Sequence, residues 1–244
     1  MPTFAPMKIG VIVAMEKELR QIRNQFNEQQ VVVQQCGIGK VNAAIGTMEM
    51  IREHHPDMII STGCAGGHGE GIRVQDVVVS TELCYHDVYC GTAIGHSVYG
   101  QVQGMPARFP ADPYLLETAR MLEFWRREGA GVRGCEKCSD ADSQSSPIIH
   151  EGLIVTGDWF VDSKDKMREI IGHFPEAKAV DMESAAIAHT CYRMGVPFIS
   201  FRIISDLPLQ DTDASMYHDF WERIADNSFQ VTSHYLERLL TPQS

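Results

Sequence analysis

Near-continuous apolar segments recur along this chain and alternate with segments of helical periodicity. The clearest of them are Lys8–Ala14, Asp57–Thr62 and Pro197–Ser205. Strands that are apolar on both faces are typical of parallel sheets covered by helices, whereas a sheet with one solvated face shows polar alternation. The pattern therefore predicts an α/β fold in which helices flank a mostly parallel sheet.

The other segments complete this pattern without an internal repeat or a linker that would split the chain. We predict one domain over residues 7–244, preceded by a loose leader at residues 1–6. The predicted strands are Lys8–Ala14, Val31–Cys36, Asp57–Thr62, Asp76–Thr81, Gly152–Thr156, Ala177–Asp181 and Pro197–Ser205. The predicted helices are Glu16–Phe26, Lys40–Ile51, Tyr114–Glu128, Lys164–Gly172, Ser184–Met194 and about Tyr217–Leu240. Two segments, Gly91–Asp112 and Gly129–Pro147, are predicted to be irregular.

Composition excludes several classes of partner. The 244 residues carry a formal net charge of -11, which argues against a nucleic-acid or anionic-membrane surface but allows an uncharged nucleoside. No apolar segment reaches the roughly 20 residues of a transmembrane helix. Ile9–Met15 lacks the flanking pattern of a signal peptide. We therefore expect a cytoplasmic protein with neither a membrane nor a nucleic-acid partner.

Most of the cysteines are expected to be free thiols, and the role of one CxxC pair is left open. Four of the seven lie in apolar contexts, as is typical of buried thiols in a reducing compartment: Cys36, Cys64, Cys84 and Cys191. Cys135 and Cys138 form a CxxC pair, but no second pair or HxxxH supplies the remaining ligands of a zinc site. We expect no metal and no cofactor, while a metal-free loop and a redox or metal role both stay open for this pair.

Three carboxylates follow predicted strands: Glu18 after the first, Glu183 after the sixth and Asp206 after the seventh. Open α/β sheets bind ligands outside the carboxyl ends of their strands, so these distant residues can converge on one pocket. There, Glu183 would accept hydrogen bonds from vicinal sugar hydroxyls and Asp206 would be a general acid. Each has an ordinary alternative. Glu18 would be a solvated helix residue, Glu183 a residue meeting a helix dipole, and Asp206 a turn residue.

Two glycine-rich segments also follow predicted strands. Gly37-Ile38-Gly39-Lys40 opens a helix, where amides and the lysine would suit a phosphate, although it matches neither the Walker motif nor a full GxGxxG. A tight turn with an exposed lysine is the alternative. Gly63–Gly67 is predicted to be a glycine turn after a buried strand, either for packing or as the wall of a pocket.

Seven segments of the chain form an ordered set of motifs. They are MKIGVIVAMEKEL (Met7–Leu19), CGIGKVNAA (Cys36–Ala44), STGCAGG (Ser61–Gly67), YHD (Tyr85–Asp87), GLIVTGDWFV (Gly152–Val161), AVDMESAAIAH (Ala179–His189) and RIISD (Arg202–Asp206). Together they resemble the nucleoside phosphorylase/hydrolase superfamily and, within it, the 5′-methylthioadenosine/S-adenosylhomocysteine nucleosidases. Each is weak alone, but their order over most of the chain is highly specific. The resemblance implies a homodimer of single α/β domains, each with a central mixed sheet that is partly closed like a barrel.

The resemblance also implies residue roles in hydrolysis of the bond between adenine and ribose, without metal or cofactor. Asp206, supported by Ser205, would protonate N7 of the purine, Glu18 would activate water, and Glu183 would hold the ribose hydroxyls. The resemblance implies further substrate contacts. Met182 would contact the sugar, and Phe160 and Val161 would contact the purine. The 5′ substituent would be surrounded by Met15, Ile38, Tyr99 and Met216 or Tyr217, and the remaining substrate-binding residues would be Cys64, Ala65 and Gly66. Relatives often have serine at Cys64 and glutamate at Asp181.

Water and phosphate compete as nucleophiles in this superfamily. Some phosphorylases bind phosphate with an arginine at the position of Thr62, and their first glycine loop, with its own arginine, is replaced here by Ala14–Leu19. A phosphate site without bidentate arginine would be poor, and Glu18 would repel the dianion, so we expect water. A futalosine-type nucleoside hydrolase, a purine nucleoside phosphorylase and a noncatalytic nucleoside-binding protein are the alternatives.

Overall fold

The computed structural model describes residues 7–23, 25–91, 98–127, 147–211, 215–223 and 229–241. The predicted leader at residues 1–6 and the pair Cys135 and Cys138 lie outside these residues. The strands are β1 (Ile9–Val13), β2 (Val31–Gln35), β3 (Met58–Gly67), β4 (Val77–Tyr85), β5 (Phe109–Pro110), β6 (Ile149–Thr156), β7 (Ala177–Asp181) and β8 (Phe198–Asp206). The helices are α1 (Glu16–Ile22), α2 (Lys40–His54), α3 (Pro113–Arg127), α4 (Lys164–His173), α5 (Ser184–Met194), α6 (Ser215–Arg223) and α7 (Gln230–Leu240).

The sheet is mixed, and part of it closes into a ring. β3 pairs in parallel with β8 and antiparallel with β7, while β6 pairs in parallel with both β7 and β4. β4 then pairs antiparallel with β8 and completes the ring. Beyond β3, β1 and β2 continue the sheet in parallel, and the short β5 pairs with β4. The expected mixed sheet, partly closed like a barrel and flanked by helices, is confirmed.

Alternate residues of β1 show why the strands are apolar on both faces. Ile9 and Val11 belong to a core that α1, α3 and α7 cover, whereas Ile12 packs in a second core with Ala43 and Met50 of α2. Each buried Val or Ile contributes about 1.5–3 kcal/mol by leaving water. A third core joins α4 to β6 and β7. The helices therefore cover the sheet and leave the carboxyl ends of several strands to form a cleft.

The predicted glycine turn at Gly63–Gly67 is wrong, because these residues continue β3 and pair with β8 and β7. Neighbouring side chains approach the glycines closely. A Cβ on Gly66 would lie 2.8 Å from Cγ of Pro208, and one on Gly67 would lie 2.7 Å from Cγ2 of Ile204. Glycine here marks close approach within a strand instead of chain reversal.

Two further differences concern segments with weak periodicity. The structure describes the predicted helix Tyr217–Leu240 as two helices, α6 and α7, with the buried Phe229 directly before α7. The predicted irregular segment Gly91–Asp112 contains the two-residue strand β5. Among the described residues, no helix is both long enough and apolar enough to cross a membrane.

Candidate active site

One cleft brings together Glu18, Glu183 and Asp206. It lies where β3, β7 and β8 end, between the segments that follow β1, β2 and β6. Every residue predicted for the site except Tyr99 and Met216 lines it: Met15, Glu18, Ile38, Cys64, Ala65, Gly66, Phe160, Val161, Met182, Glu183, Ser205, Asp206 and Tyr217. The described lining also includes residues to which no role was assigned: Ala14, Trp159, Val180 and Asp181.

Glu18 is buried near the start of α1, with only 2% of its surface exposed. Its Oε2 accepts hydrogen bonds of 2.9 Å from the amides of Ala14 and Met15, and its Oε1 accepts one of 2.9 Å from the amide of Cys64. Burial raises the pKa of Glu18, although the charge of Arg202 and the three amides act in the opposite direction. The carboxylate is thus fixed by backbone groups from two separate segments.

Gly63 makes room for this carboxylate. A Cβ at Gly63 would lie 2.7 Å from Oε1 of Glu18, which is closer than real Cβ contacts. The exposed face of α1 is formed instead by Glu16 and Arg20, whose ion pair measures 3.1 Å. The alternative of a solvated Glu18 is therefore wrong, because the fold buries this side chain against β3.

Glu183 directly precedes α5, yet its side chain does not cap that helix. Its Oε1 accepts a hydrogen bond of 2.8 Å from the amide of Gly39, in the glycine segment before α2. Gly39 has a φ of 92°, a left-handed conformation that glycine adopts without strain. Burial, followed by the charge of Asp181, raises the pKa of Glu183 to about 8. This anchoring by another segment turns the carboxyl group towards the cleft and away from its own helix.

Asp206 is the last residue of β8 and is 8% exposed. The hydroxyl of Ser205 donates to its Oδ1 at 2.6 Å. Burial raises the pKa of Asp206 to about 6, although the bond from Ser205 acts in the opposite direction. A carboxyl group whose pKa lies near neutrality can hold a proton and donate it to a bound ligand.

A buried ion pair borders the three carboxylates, and no role was predicted for it. Nε of Arg202, in the middle of β8, donates to Oδ2 of Asp181 at 2.6 Å, and Nη2 donates to Oγ of Ser61 at 3.0 Å. The charge of Arg202 acts to lower the pKa of both Glu18 and Glu183, which offsets part of their repulsion. The available signal was a lone arginine inside an apolar strand, since a buried arginine requires a partner.

Aromatic and apolar side chains form the rest of the cleft. Phe160 is 46% exposed, and its ring makes a T-shaped contact of 5.3 Å with Tyr217. The hydroxyl of Tyr217 donates to Sδ of Met15 at 3.7 Å. Val161 is buried in the core beneath α4 and anchors this segment. A half-exposed aromatic ring beside buried carboxyl groups suits stacking on a planar ligand.

Two of the predicted residues differ from the others. Tyr99 does not line the cleft of its own chain, because its ring stacks on His173 at 3.7 Å between centroids and contacts Phe174. Cys64 does line the cleft. Burial raises the pKa of its thiol well above the ordinary value, so this cysteine stays protonated and is a poor nucleophile.

Three donor groups of the glycine segment before α2 are already bonded to carboxylates. Nζ of Lys40 contacts both carboxylate oxygens of Asp87, at 2.6 and 2.8 Å, and its amide donates to Oδ1 of Asp158 at 2.8 Å. The amide of Gly39 is bonded to Glu183. These contacts argue against a phosphate at Lys40 and at the amides of Gly39 and Lys40. The described residues that line the cleft include no lysine or arginine, and the described ranges contain no cluster of three or more possible metal ligands.

Comparisons with known proteins identify the family of this chain. The sequence model of the phosphorylase superfamily matches residues 13–240. A 5′-methylthioadenosine/S-adenosylhomocysteine nucleosidase of an Exiguobacterium species is 39% identical over 96% of this chain and 99% of its own. Solved nucleosidase structures from Neisseria meningitidis, in complex with methylthio-immucillin-A, and Colwellia psychrerythraea, in complex with adenine, are also similar.

The Neisseria meningitidis structure has a TM-score of 0.78 and 35% identity, and the match covers 95% of this chain and 99% of that one. The Colwellia psychrerythraea structure has a TM-score of 0.80 and 31% identity, and the match covers 97% of each chain. Sequence and fold therefore match over nearly the whole length, as the ordered motifs predicted. The chain belongs to the phosphorylase superfamily and, within it, to the 5′-methylthioadenosine/S-adenosylhomocysteine nucleosidases.

Proposed function

We propose that this protein is an N-glycosyl hydrolase that releases adenine from 5′-methylthioadenosine or S-adenosylhomocysteine. The observation that carries the proposal is a single cleft with two buried carboxyl groups in separate environments, Asp206 and Glu18. Among the described residues, Asp206 accepts a hydrogen bond from a neighbouring hydroxyl, whereas Glu18 is fixed by three amides. Family membership supports the same substrates.

Asp206 is the general acid of the proposed reaction. With a pKa of about 6 it holds a proton in a useful fraction of molecules near neutrality, and it donates that proton to N7 of the purine. The bond between C1′ and N9 breaks, its electron pair goes to adenine, and the ribosyl group gains oxocarbenium character. Phe160 stacks on the adenine while the backbone of Val161 contacts its edge.

Glu18 is the general base. A carboxylate with a raised pKa is a stronger base towards water, and the three amide bonds hold it in one orientation. The water oxygen forms the new bond to C1′ and a proton passes to Glu18. Glu183 accepts hydrogen bonds from the ribose hydroxyls and so positions C1′ between the acid and the base. Acid and base catalysis typically contribute about 10²–10⁴-fold each.

Water is preferred over phosphate in this proposal because the described lining of the cleft contains acidic side chains and no lysine or arginine. Glu18 lies in the cleft, whereas Lys40 is bonded to Asp87. Thr62, at the position where some phosphorylases have an arginine, is buried with its hydroxyl 2.9 Å from that of Thr232. A dianion would therefore meet carboxylates without a bidentate cation.

The apolar side of the cleft favours a 5′ substituent without charge near the ribose. Met15, Ile38 and Tyr217 line the cleft, and the hydroxyl of Tyr217 contacts the sulfur of Met15. A thioether is polarisable and weakly polar, so it suits methionine and aromatic neighbours. This chemistry supports methylthio and homocysteinyl groups as the 5′ substituents.

A homodimer and a cytoplasmic location complete the proposal. Ile38, Val41, Ile45, Tyr89 and Val98 are each more than half exposed, and Val41 and Ile45 share one face of α2. A second copy of the chain would remove this apolar surface from water next to the cleft. The described cysteines are free thiols, which fits a reducing compartment.

Light scattering after gel filtration tests the homodimer. The wild type is expected at twice the mass of one chain. Ile45→Lys should shift it towards the monomer, whereas Glu53→Lys, at an exposed position of the same helix, should not. A monomeric wild type at micromolar concentration would contradict the dimer.

Adenine release from a panel of nucleosides tests the activity. We expect release from 5′-methylthioadenosine and S-adenosylhomocysteine, with Asp206→Asn reducing turnover by at least 10²-fold while adenine still binds. Preference for a futalosine-type nucleoside would replace the proposed substrates. Binding without release from any member would indicate a noncatalytic nucleoside-binding protein.

A further inference from the structure

A charged cluster outside the cleft joins two loops that the cleft requires. Lys40, Asp87 and Asp158, which we call the latch, are bonded to one another. Nζ of Lys40 contacts Asp87 at 2.6 Å and Oδ2 of Asp158 at 3.6 Å, and the amide of Asp158 donates to Oδ2 of Asp87 at 2.8 Å. The proposed reaction uses none of these groups directly.

The latch connects the loop that anchors Glu183 to the loop that carries Phe160. Oδ1 of Asp158 accepts the amide of Lys40 at 2.8 Å, and the preceding amide, that of Gly39, donates to Glu183 at 2.8 Å. Asp158 also lies only two residues before Phe160. Adjacent amides of one loop are therefore bonded to the proposed ribose-binding residue and to the start of the purine-binding loop.

The glycine loop packs against one of these carboxylates. Gly37 and Gly39 have φ values of 91° and 92°, and glycine loses much freedom when it is fixed in one conformation. A Cβ on Gly39 would lie 3.0 Å from Oδ1 of Asp158, so the aspartate packs directly on this residue. Without that carboxylate, the amide of Gly39 would lose one of the contacts that hold it towards Glu183, while the bond from Asn42 to the carbonyl of Ile38 would remain.

The purine-binding loop has anchors that do not involve Asp158. The amide of Gly157 donates to the carbonyl of Asp181 at 3.1 Å, and Val161 is buried in the core beneath α4. Removal of the Asp158 carboxylate should therefore affect the two loops unequally. The ribose side should loosen, and the purine side should stay in place.

We propose that Asp158 is a positioning residue that sets the ribose-binding half of the cleft relative to the purine-binding half. It acts through the amides of Lys40 and Gly39 on Glu183. The inference deepens the proposed function and rests on it. A ligand that spans both halves benefits from the latch, because the spacing between its two subsites is set before binding. A ligand confined to the purine half does not.

Calorimetric affinities for two ligands, together with adenine-release rates, test this inference. Methylthio-immucillin-A spans both halves, and adenine occupies one. Asp158→Ala should weaken binding of methylthio-immucillin-A by about tenfold, the effect of one charge-assisted hydrogen bond, while the affinity for adenine changes less than twofold. Asp158→Asn keeps an oxygen that accepts the Lys40 amide and should recover most of the loss.

Asp162→Ala is the matched control, since Asp162 is an exposed carboxylate at the end of the same loop. It should leave both affinities unchanged. The Asp158 side chain is 48% exposed, so its variants are expected to fold, and their melting temperatures check this.

Equal loss of affinity for both ligands in Asp158→Ala, or no loss for either, would overturn the latch. The wild type separates this outcome from failure of the proposed function. If the wild type binds methylthio-immucillin-A and releases adenine, and Asp158→Ala has the same affinities for both ligands, only the role proposed for Asp158 is refuted. A wild type that does neither refutes the proposed function and this inference with it.

Discussion

Gly63→Ala should impair catalysis by displacing Glu18 without changing any reacting group. The added Cβ would lie 2.7 Å from Oε1 of Glu18 and 3.2 Å from its Cδ. Ordinary contact begins at 3.4 Å, so Oε1 must retreat by about 0.7 Å. Glu18 cannot retreat freely, because three amides bind its carboxylate and Oε1 is bonded to Cys64. Alanine fits the extended backbone of β3, so the side-chain clash is the main perturbation.

The expected loss in kcat follows from the hydrogen bond between the amide of Cys64 and Oε1 of Glu18, which the displacement breaks. Loss of one hydrogen bond to a charged group costs about 1.5–3 kcal/mol, and each 1.4 kcal/mol lost only in the transition state lowers the rate about tenfold. We therefore expect kcat for adenine release to fall roughly 10- to 100-fold, with the affinity for adenine nearly unchanged. Gly172→Ala is the control, because a Cβ there meets nothing within 4 Å. A kcat for Gly63→Ala within twofold of wild type would refute the role given to Glu18.

Two further predictions concern protons. Ser205→Ala removes the hydroxyl that lowers the pKa of Asp206, so the alkaline limb of kcat/KM, expected near pH 6 in the wild type, should move to higher pH. An unchanged or lower midpoint would speak against Asp206 as the acid. The pKa of Glu183 rises from 4.5 to about 8 on folding, so the native state holds a proton that the unfolded chain releases. Its contribution to stability is therefore complete at low pH and is lost as the pH rises towards 8, by at most about 1.4 kcal/mol per pH unit. Glu183→Gln should flatten the fall in melting temperature of the ligand-free protein between pH 5 and pH 8, and an unchanged slope would contradict this.

The alternation of strands and helices was predictable from the sequence, because a strand that is buried on both faces is a nearly continuous run of apolar residues. Lys8–Ala14 and Pro197–Ser205 agree with β1 and β8 to within a residue at each end. The sequence predicts a turn at Gly63–Gly67, because glycine normally marks chain reversal. Its place in β3 depends instead on side chains of other segments, such as Pro208, which no local pattern reveals.

The position of the cleft was predictable in part, because the parallel strands β1, β3 and β8 bring their carboxyl ends to one edge of the sheet. The carboxyl end of β7 reaches the same place by a different route, since β7 pairs antiparallel with the end of β3. The roles of Glu18, Glu183 and Asp206 stay predictions until they are tested. The pairing of Arg202 with Asp181 was not predictable, since the partner of a buried charge is set by the sheet register. The stacking of Tyr99 on His173 was missed for the same reason, because it depends on packing against α4.

Hydrolysis by water activated at Glu18 is the central claim, and isotope labelling tests it most directly. Turnover of 5′-methylthioadenosine in water enriched in ¹⁸O should place one labelled oxygen on C1′ of the ribose product, at a rate that added phosphate does not change. Glu18→Gln should abolish this turnover while adenine still binds. A rate that depends on phosphate, with a ribose 1-phosphate as the product, would contradict the account.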